Sequence, residues 1–291
     1  NFDMKKLGMT SEGWHIFSEA SFLAYADRDK YIGDPDFIIV DADSLTDKEY
    51  LRSRANLIRN DIAMENVTAG NPNALVRGKD STPDNPSTSH FTVVDKDGLV
   101  VSMTTTVEAA FGSQRMAAGF ILNNQLTDFS FQPRDSDGLL VANAVGPNKR
   151  PRSSMAPVIV FNPEGEFLFT SGSPGGSSII AYTAKTIVGI LDWGLSPQDA
   201  IELPNVIARN GRVAVEAKGL KDEISGEIDR GSPAEEFGLP ESLIKGLESR
   251  GHKVRRSKGE FSGIHIIYRD EDGALIGGAD PRREGVALGL D

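Results

Sequence analysis

Three pairs of strand-like segments, each closed by a short turn, constrain the fold of this chain more than any other feature. The pairs are 89–95 with 99–106, 157–161 with 166–170, and 263–268 with 274–277. Each turn is rich in Asp or Asn and ends in glycine, which predicts β-hairpins. Helical patterns over 178–193 and 240–250 lie between the second and third pairs. The sequence therefore predicts an α+β protein with antiparallel sheets flanked by helices.

The first third of the chain has a different pattern. Thr10-Ser11-Glu12 predicts the start of a helix, and Thr46-Asp47-Lys48-Glu49 predicts a capping box for a second helix that runs to about Asn60. Residues 64–87 are dominated by Asn, Gly, Pro and Ser, which predicts a loop or a disordered tether. The apolar run over 158–161 predicts a strand that is covered on both faces.

Composition restricts the class of protein. A formal net charge of -11 argues against a nucleic-acid or anionic-membrane surface, because both need a basic footprint. Cysteine is absent, which excludes disulfides and thiolate chemistry. No apolar run approaches membrane-spanning length, and no signal peptide is visible. Because Asn1 is not a natural start, the missing signal is uninformative.

Thr88 stands where the polar segment meets the first strand. A threonine hydroxyl is a weak nucleophile unless a base lies beside it, and a threonine at a chain terminus can use its own α-amine as that base. This chemistry requires a cut before Thr88. On this stretch alone, an ordinary residue at the start of a strand remains the simpler interpretation.

Four ordered motifs from Thr88 onward indicate a family. They are Thr-Ser-His-Phe-Thr-Val-Val-Asp over 88–95, Leu-Asn-Asn-Gln-Leu-Thr-Asp-Phe-Ser over 122–130, Gly-Pro-Asn-Lys-Arg-Pro-Arg-Ser-Ser-Met over 146–155, and Gly-Ser-Pro-Gly-Gly-Ser over 172–177. With the final Asp280-Pro281-Arg282-Arg283, they closely resemble the small subunit of the γ-glutamyltransferases, which are self-cleaving N-terminal-nucleophile hydrolases. The resemblance covers 204 of 291 residues and extends more weakly upstream over 24–35.

The resemblance implies an organisation. The fold would be a four-layer αββα sandwich, residues 1–87 would be the C-terminal part of a large subunit, and residues 88–291 the small catalytic subunit. The N-terminal half of the large subunit would be missing from this chain. After cleavage the two subunits would form a heterodimer, and the family implies a periplasmic or extracellular location.

The resemblance also assigns chemistry. Thr88 would attack the Ser87 carbonyl during maturation and afterwards the γ-amide of glutathione or another γ-glutamyl donor. The acyl group would pass to amino acids, peptides or water. Thr106 would hydrogen-bond the nucleophile, and the backbone of Gly175 and Gly176 would form the oxyanion hole, a role that suits two glycine amides at a helix start.

Further residues of this chain match the family positions that bind the polar groups of the donor. Ser153 and Ser154 would hold the α-carboxylate, and Gln125 and Asp128 the α-ammonium. Glu108 departs from the pattern, since asparagine is common there; a glutamate would still accept from an ammonium, although it leaves the donor preference open. The segment 131–141, where many relatives carry a lid loop, is short, which favours an open pocket.

Two alternatives remain. An acylase acting on a glutaryl or cephalosporin side chain would need no ammonium site, and a non-catalytic remnant would bind a partner or nothing. No cofactor is predicted. The histidines are 15, 90, 252 and 265, and none pairs with another at metal-ligand spacing, so no metal site is predicted. His15 is predicted to be structural or exposed, and His90 structural. The family's carboxylate-binding arginine lies early in the large subunit, a context that is absent around Arg28 and the other arginines of 1–87.

Overall fold

The structure is a computed structural model that describes residues 1–82, 88–220, 233–257 and 262–289. Its helices are α1 Met4–Leu7, α2 Ser11–Tyr31, α3 Ala42–Thr46, α4 Lys48–Ala55, α5 Ile179–Leu191, α6 Pro197–Glu202, α7 Pro233–Phe237 and α8 Glu241–Glu248. Its strands are β1 Ser89–Val94, β2 Val100–Thr105, β3 Met116–Ala117, β4 Phe120–Ile121, β5 Val158–Phe161, β6 Phe167–Gly172, β7 Val206–Arg209, β8 Arg212–Glu216, β9 Val254–Ser257, β10 His265–Arg269 and β11 Leu275–Ala279.

The three predicted hairpins are confirmed, and two of them build one sheet. Strands β5 and β6 pair with β10 and β11 in the antiparallel order β11-β10-β6-β5. The β1-β2 hairpin packs on one face, where Thr92 Oγ1 donates to Thr170 Oγ1 at 2.8 Å. Helices α5 and α6 cover the other face through a core that includes Phe169, Ile201 and Ile266. The protein is therefore α+β, with the hairpin and the helices on opposite sides of the sheet.

The prediction that 158–161 is covered on both faces was wrong. Ile159 is 38% exposed and Phe161 57% exposed, because β5 lies at the edge of the sheet. The doubly covered strand is β6. Its Phe169 faces the helices and its Thr170 faces the hairpin, and both are fully buried.

A second sheet was not predicted from the sequence. Strands β7, β8 and β9 form it, and β8 and β9 run parallel. It packs against α2 and α8 around a second core that is centred on Trp14, Val213 and Leu247. This sheet joins the N-terminal helix α2 to the C-terminal two thirds of the chain.

The segment around α4 differs from its prediction. The helix ends at Ala55 and not near Asn60, and its cap is Asp47 and not Thr46, because the Asp47 carboxylate accepts from the N–H groups of Glu49 and Tyr50, each at 2.9 Å. The short carboxylate side chain satisfies two free donors of the first turn at once.

The polar segment after α4 carries no helix or strand over its described part, as predicted. It is nevertheless anchored. The Gly70 N–H donates to Asp27 Oδ1 at 2.7 Å, and Asp80 is only 2% exposed. Residues 83–87, which include Ser87 and the predicted cleavage point, lie outside the described residues.

Among the described helices, none combines the length and the apolar character that a membrane crossing requires.

Candidate active site

Thr88 lies at the open end of the β1-β2 hairpin. The register places Ser89 opposite Thr105, so Thr88 and Thr106 are the next positions outward on the two arms. Thr88 is half-buried, and its carbonyl accepts from Arg283 Nη1 at 3.4 Å. The hairpin therefore brings the predicted nucleophile and its predicted hydrogen-bonding partner to one edge.

The Gly175-Gly176 loop lies near this edge, and Arg283 links the two. A Cβ placed on Gly263 would come within 2.9 Å of both Arg283 Cδ and Pro174 Cγ, so these side chains converge there. Gly175 has φ +135° and Gly176 has φ +57°, and a short 3-10 turn leads from them into α5. A Cβ on Gly175 would lie 2.4 Å from the Tyr182 ring. Only glycine fits this backbone and this space.

Glu108 and Gln125 are both tied to Thr106. The Glu108 N–H donates to Thr106 Oγ1 at 2.8 Å, and Gln125 Nε2 donates to the Thr106 carbonyl at 3.1 Å. Glu108 is only 4% exposed and has φ +72°. One side-chain oxygen of each residue, Glu108 Oε1 and Gln125 Oε1, is buried and has no hydrogen-bond partner among the described residues. Buried acceptors without donors are costly, so this corner is built for a ligand that donates hydrogen bonds.

Asn124, which sequence reasoning missed, holds this corner together. Its Nδ2 donates to Glu108 Oε2, and its Oδ1 accepts from the Ala109 N–H at 2.9 Å. The only sequence signal was its place beside Gln125 in the 122–130 motif. Asn124 thus fixes one Glu108 oxygen while the other stays available.

Asn143 connects the Asp128 loop to the Ser153-Ser154 loop. Its Nδ2 donates to the Asp128 carbonyl at 2.7 Å, and its Oδ1 accepts from the Arg152 N–H at 2.8 Å. Asp128 is half-buried, whereas Asn143 is only 1% exposed. A single buried amide therefore fixes the spacing between the loop that the sequence analysis assigned to the donor's α-ammonium and the loop that it assigned to the α-carboxylate.

The two serines differ in their surroundings. Ser153 is exposed, and its Oγ accepts from the Met155 N–H at 3.0 Å. Ser154 is half-buried, and its Oγ accepts a hydrogen bond from Arg28 Nη2. Arg28 comes from α2, in the part of the chain where the sequence analysis expected no arginine to take part in this site.

His90 lies between the hairpin and the central sheet. Its Nδ1 is 2.9 Å from Thr104 Oγ1, and its ring packs against Gly172 so closely that a Cβ there would be 2.2 Å away. Burial, aided by His265, lowers the pKa of His90 to about 4. A neutral, enclosed imidazole fits the structural role predicted for it.

His15 and His252 meet, although 237 positions separate them. His15 Nδ1 is 2.7 Å from His252 Nε2, and both rings are buried next to Glu19. These three side chains are the described groups that could hold a metal ion. Two nitrogens bound to one zinc at about 2.0–2.1 Å each would stand more than about 3 Å apart, so the observed contact is a hydrogen bond. The absence of a metal site stays a prediction, but sequence spacing missed this cluster.

Comparison with known proteins identifies the family. The family model described as gamma-glutamyltranspeptidase matches residues 1–290. The glutathione hydrolase proenzyme of Escherichia coli (strain K12) is 38% identical over 290 residues, covering 97% of this chain and 45% of that protein. The acylase ACY 1 proenzyme of Pseudomonas sp. (strain V22) is 33% identical over 295 residues, covering 99% of this chain and 46% of that protein.

A solved structure agrees with these relatives. The structure of a Helicobacter pylori gamma-glutamyltranspeptidase mutant superposes with a TM-score of 0.54 at 29% identity, covering 67% of this chain and 99% of that one. The fold thus defines an α+β protein of the kind that these enzymes share. This chain belongs to the gamma-glutamyltranspeptidase family, and it spans about half the length of the curated relatives it matches.

Proposed function

We propose that this chain is the C-terminal part of a self-processing γ-glutamyltransferase that hydrolyses glutathione-like donors or transfers their γ-glutamyl group to amino acids and peptides. One observation carries the proposal, namely the two buried acceptor oxygens of Glu108 and Gln125 beside Thr106. An ammonium group brings three donors to such a corner. A glutaryl side chain has no α-ammonium and would leave these oxygens unpaired, which disfavours a glutaryl acylase.

Processing divides the chain into 1–87 and 88–291. The Thr88 hydroxyl attacks the carbonyl carbon of Ser87, the Ser87–Thr88 peptide bond becomes an ester, and water hydrolyses that ester. The step frees the α-amine of Thr88. Two findings support this division. The E. coli relative is a proenzyme, and the H. pylori chain, matched over 99% of its length, covers 67% of this chain.

Turnover uses the freed amine as the base. The amine takes the proton of Thr88 Oγ1 as that oxygen attacks the γ-carbonyl carbon of the donor. The N–H groups of Gly175 and Gly176 stabilise the oxyanion. Collapse of the intermediate expels the donor's amine, which leaves with the proton, and forms an ester on Thr88. An acceptor amine or water then attacks this ester, and Thr106 keeps the nucleophile oriented.

The rest of the donor is held at its α-carbon. Asp128 joins Glu108 and Gln125 around the α-ammonium, where a carboxylate strengthens the hydrogen bonds by its charge. Ser153 and Ser154 donate to the α-carboxylate. The shared contacts of Asn143 with the Asp128 and Arg152 backbones support this pairing, because they tie the two loops together.

The complete protein is a four-layer αββα sandwich and a large/small subunit heterodimer. Helices α5 and α6, the central sheet and the β1-β2 hairpin supply three layers. The outer face of the hairpin exposes Phe91, Val93, Val101 and Met103. Residues of the large subunit that lie outside this chain cover that face, and the complete protein works in the periplasm or outside the cell.

The test uses the full-length protein and two anilide donors, γ-glutamyl anilide and glutaryl anilide. The wild type should yield a C-terminal fragment that begins at Thr88, seen by mass spectrometry, and should release aniline from the γ-glutamyl donor far faster than from the glutaryl donor. Thr88→Ala should stay uncut and inactive. Faster turnover of the glutaryl donor would establish the acylase instead, and a folded but uncut wild type would overturn the assignment of Thr88.

A further inference from the structure

Tyr25 on α2 contacts the loop that follows Gly175 and Gly176, although it lies before the proposed cleavage point. Its hydroxyl donates to the Ser177 carbonyl at 2.5 Å, across 152 positions of the chain. We propose that Tyr25 is a positioning residue that holds this loop in the geometry needed to stabilise the oxyanion. The inference rests on the proposed function, in which the N–H groups of Gly175 and Gly176 bind the oxyanion.

The Tyr25 hydroxyl is a donor with a fixed position. Tyr25 is only 3% exposed, and the guanidinium carbon of Arg209 lies 5.3 Å from the centre of its ring. Burial raises the pKa of Tyr25 to about 12, so the hydroxyl keeps its proton at ordinary pH. A tyrosine side chain is rigid, with only two χ angles, so an enclosed ring places its hydroxyl with little freedom. The Ser177 carbonyl is therefore held by a group that itself moves little.

Two planar peptide groups connect Tyr25 to an oxyanion donor. The Ser177 carbonyl and the Ser178 N–H belong to one peptide group, and this N–H donates to the Gly175 carbonyl at 3.1 Å. The Gly175 carbonyl and the Gly176 N–H belong to a second peptide group. Because a trans peptide group is planar and directs its carbonyl and its N–H to opposite sides, fixing one of them fixes the other. Tyr25 therefore sets the direction of the Gly176 N–H through the Ser177 carbonyl.

The two glycines make this support from outside the loop necessary. Gly175 has φ +135° and Gly176 has φ +57°, and glycine takes many backbone angles at little steric cost. The peptide group between them depends on hydrogen bonds and packing for its orientation. Oxyanion donors lower the barrier when they are oriented before the charge develops. The Tyr182 ring packs against Gly175 from α5 and the Tyr25 hydroxyl holds the loop from α2, so both helices orient the donors.

The test compares Tyr25→Phe with Tyr31→Phe in the full-length protein, with rates referred to the concentration of cleaved enzyme. Tyr31 is the matched control, because it lies on the same helix, is 2% exposed and donates from its hydroxyl to the Gly70 carbonyl at 2.6 Å. Each variant loses one hydrogen bond from a buried tyrosine to a backbone carbonyl. Tyr25→Phe should lower kcat for γ-glutamyl anilide about tenfold and change KM by about twofold or less, as expected when an interaction of the transition state is weakened. Tyr31→Phe should leave both constants within about twofold of the wild type.

A transition-state analogue gives the second readout. The analogue of glutamate with a boronic acid in place of the γ-carboxyl group becomes a tetrahedral anion when the Thr88 oxygen adds to boron and its proton passes to the α-amine. Its inhibition constant should rise about tenfold in Tyr25→Phe and stay within about twofold of the wild type in Tyr31→Phe. A merely structural role of Tyr25 would lower the Tm of the variant without changing this constant.

Each outcome bears on one claim. A wild type that does not turn over γ-glutamyl anilide overturns the proposed function and this inference with it. An active wild type whose Tyr25→Phe and Tyr31→Phe variants share the same kcat and the same inhibition constant overturns the inference alone, and so does a Tyr25→Phe variant that changes KM but not kcat. If Tyr25→Phe does not fold, Tyr25→His, whose shorter side chain cannot reach the Ser177 carbonyl, is measured in the same way.

Discussion

At the scale of single residues, the site combines rigid backbone with unpaired polar atoms. Glu108 adopts φ +72° although it is not glycine, and Gly175 adopts φ +135°. Glycine takes such angles freely, but a non-glycine residue such as Glu108 pays free energy for them, and this conformation persists where the surroundings determine it, often at functional sites. The Glu108 N–H donates to Thr106 Oγ1, next to the predicted nucleophile, and Gly175 begins the turn that leads into α5. The residues around Thr88 are therefore arranged for a ligand at some cost in stability.

Gly175→Ala tests the oxyanion loop. The new Cβ would lie 2.4 Å from the Tyr182 ring at a backbone angle that alanine avoids, so the loop must shift. We expect kcat for γ-glutamyl anilide to fall about 100-fold or more, because the loss of one oxyanion donor costs about 10²–10³ in kcat. Gly98→Ala is the matched control, since Gly98 has φ +86° but open space around it. It should lower the free energy of unfolding by about 1 kcal/mol without changing kcat. Equal kcat values for both variants would contradict the role of this loop.

At the scale of elements, α2 is the helix that holds the two parts of the chain together. Its His15 donates from Nε2 to the Arg59 carbonyl at 2.6 Å, so the Nδ1 of the neutral ring must accept from His252 Nε2. His252 Nδ1 then carries a lone pair, and Glu19 Oε1 lies 3.9 Å from it. Burial raises the pKa of Glu19 to about 7. The cluster therefore favours a protonated Glu19 facing His252 across the contact between α2 and the segment that follows α8.

Glu19→Gln should change how stability depends on pH. Between about pH 4.5 and 7 the folded protein keeps a proton on Glu19 that the unfolded chain has released, so the contribution of Glu19 to the free energy of unfolding falls as pH rises through this window. The pKa of His252 is lowered to about 4, which has the opposite effect. The contribution of His252 to the free energy of unfolding rises as pH rises from about 4 to 6.5. Glutamine mimics the protonated acid. We therefore measure the Tm of Glu19→Gln minus the Tm of the wild type. This difference should be a few degrees more positive at pH 8 than at pH 5.

The control for this measurement is Glu49→Gln on α4, whose side chain is exposed. Its Tm difference from wild type should stay within about one degree at both pH values, as for most surface substitutions. If Glu19→Gln shows the same difference at pH 5 and pH 8, the proton on Glu19 does not contribute to stability.

At the scale of the whole molecule, the outer face of the β1-β2 hairpin is apolar and exposed. The hairpin register pairs Phe91 with Met103 and Val93 with Val101, so four apolar side chains form one patch, each 41–51% exposed. Contiguous apolar surface of this kind marks an interaction site. The chain spans about 45% of its E. coli relative, and under the proposed function residues outside this chain would cover the patch.

The 291-residue chain alone should therefore bind a hydrophobic dye and show little or no transferase activity, whereas the protein with its N-terminal half should bind less dye and be active. Phe91→Ser combined with Met103→Ser should reduce dye binding by the isolated chain and impair the full-length protein. The comparison needs dye fluorescence and aniline release from γ-glutamyl anilide. Turnover by the isolated chain at rates near those of the full-length enzyme would show that residues outside this chain are not required.

Local patterns in the sequence determined the parts of this protein that depend on neighbouring residues. The three hairpins, the Thr10 cap of α2 and the position of Thr88 at the start of β1 follow from turns and caps that close within a few residues. The motifs around Gln125, Ser153 and Gly175 likewise indicated the family before any contact was known.

The tertiary structure alone decided which distant groups meet. Arg28 reaches Ser154 across 126 positions, His15 reaches His252 across 237, and β8 pairs with β9 across a long connection. No periodicity encodes such contacts, because they depend on how the helices and sheets pack once the chain has closed on itself. For the same reason the apolar run of β5 could not reveal that it lies at a sheet edge. Whether a face of a strand is buried depends on what packs against it, and the sequence of that strand does not specify its packing partners.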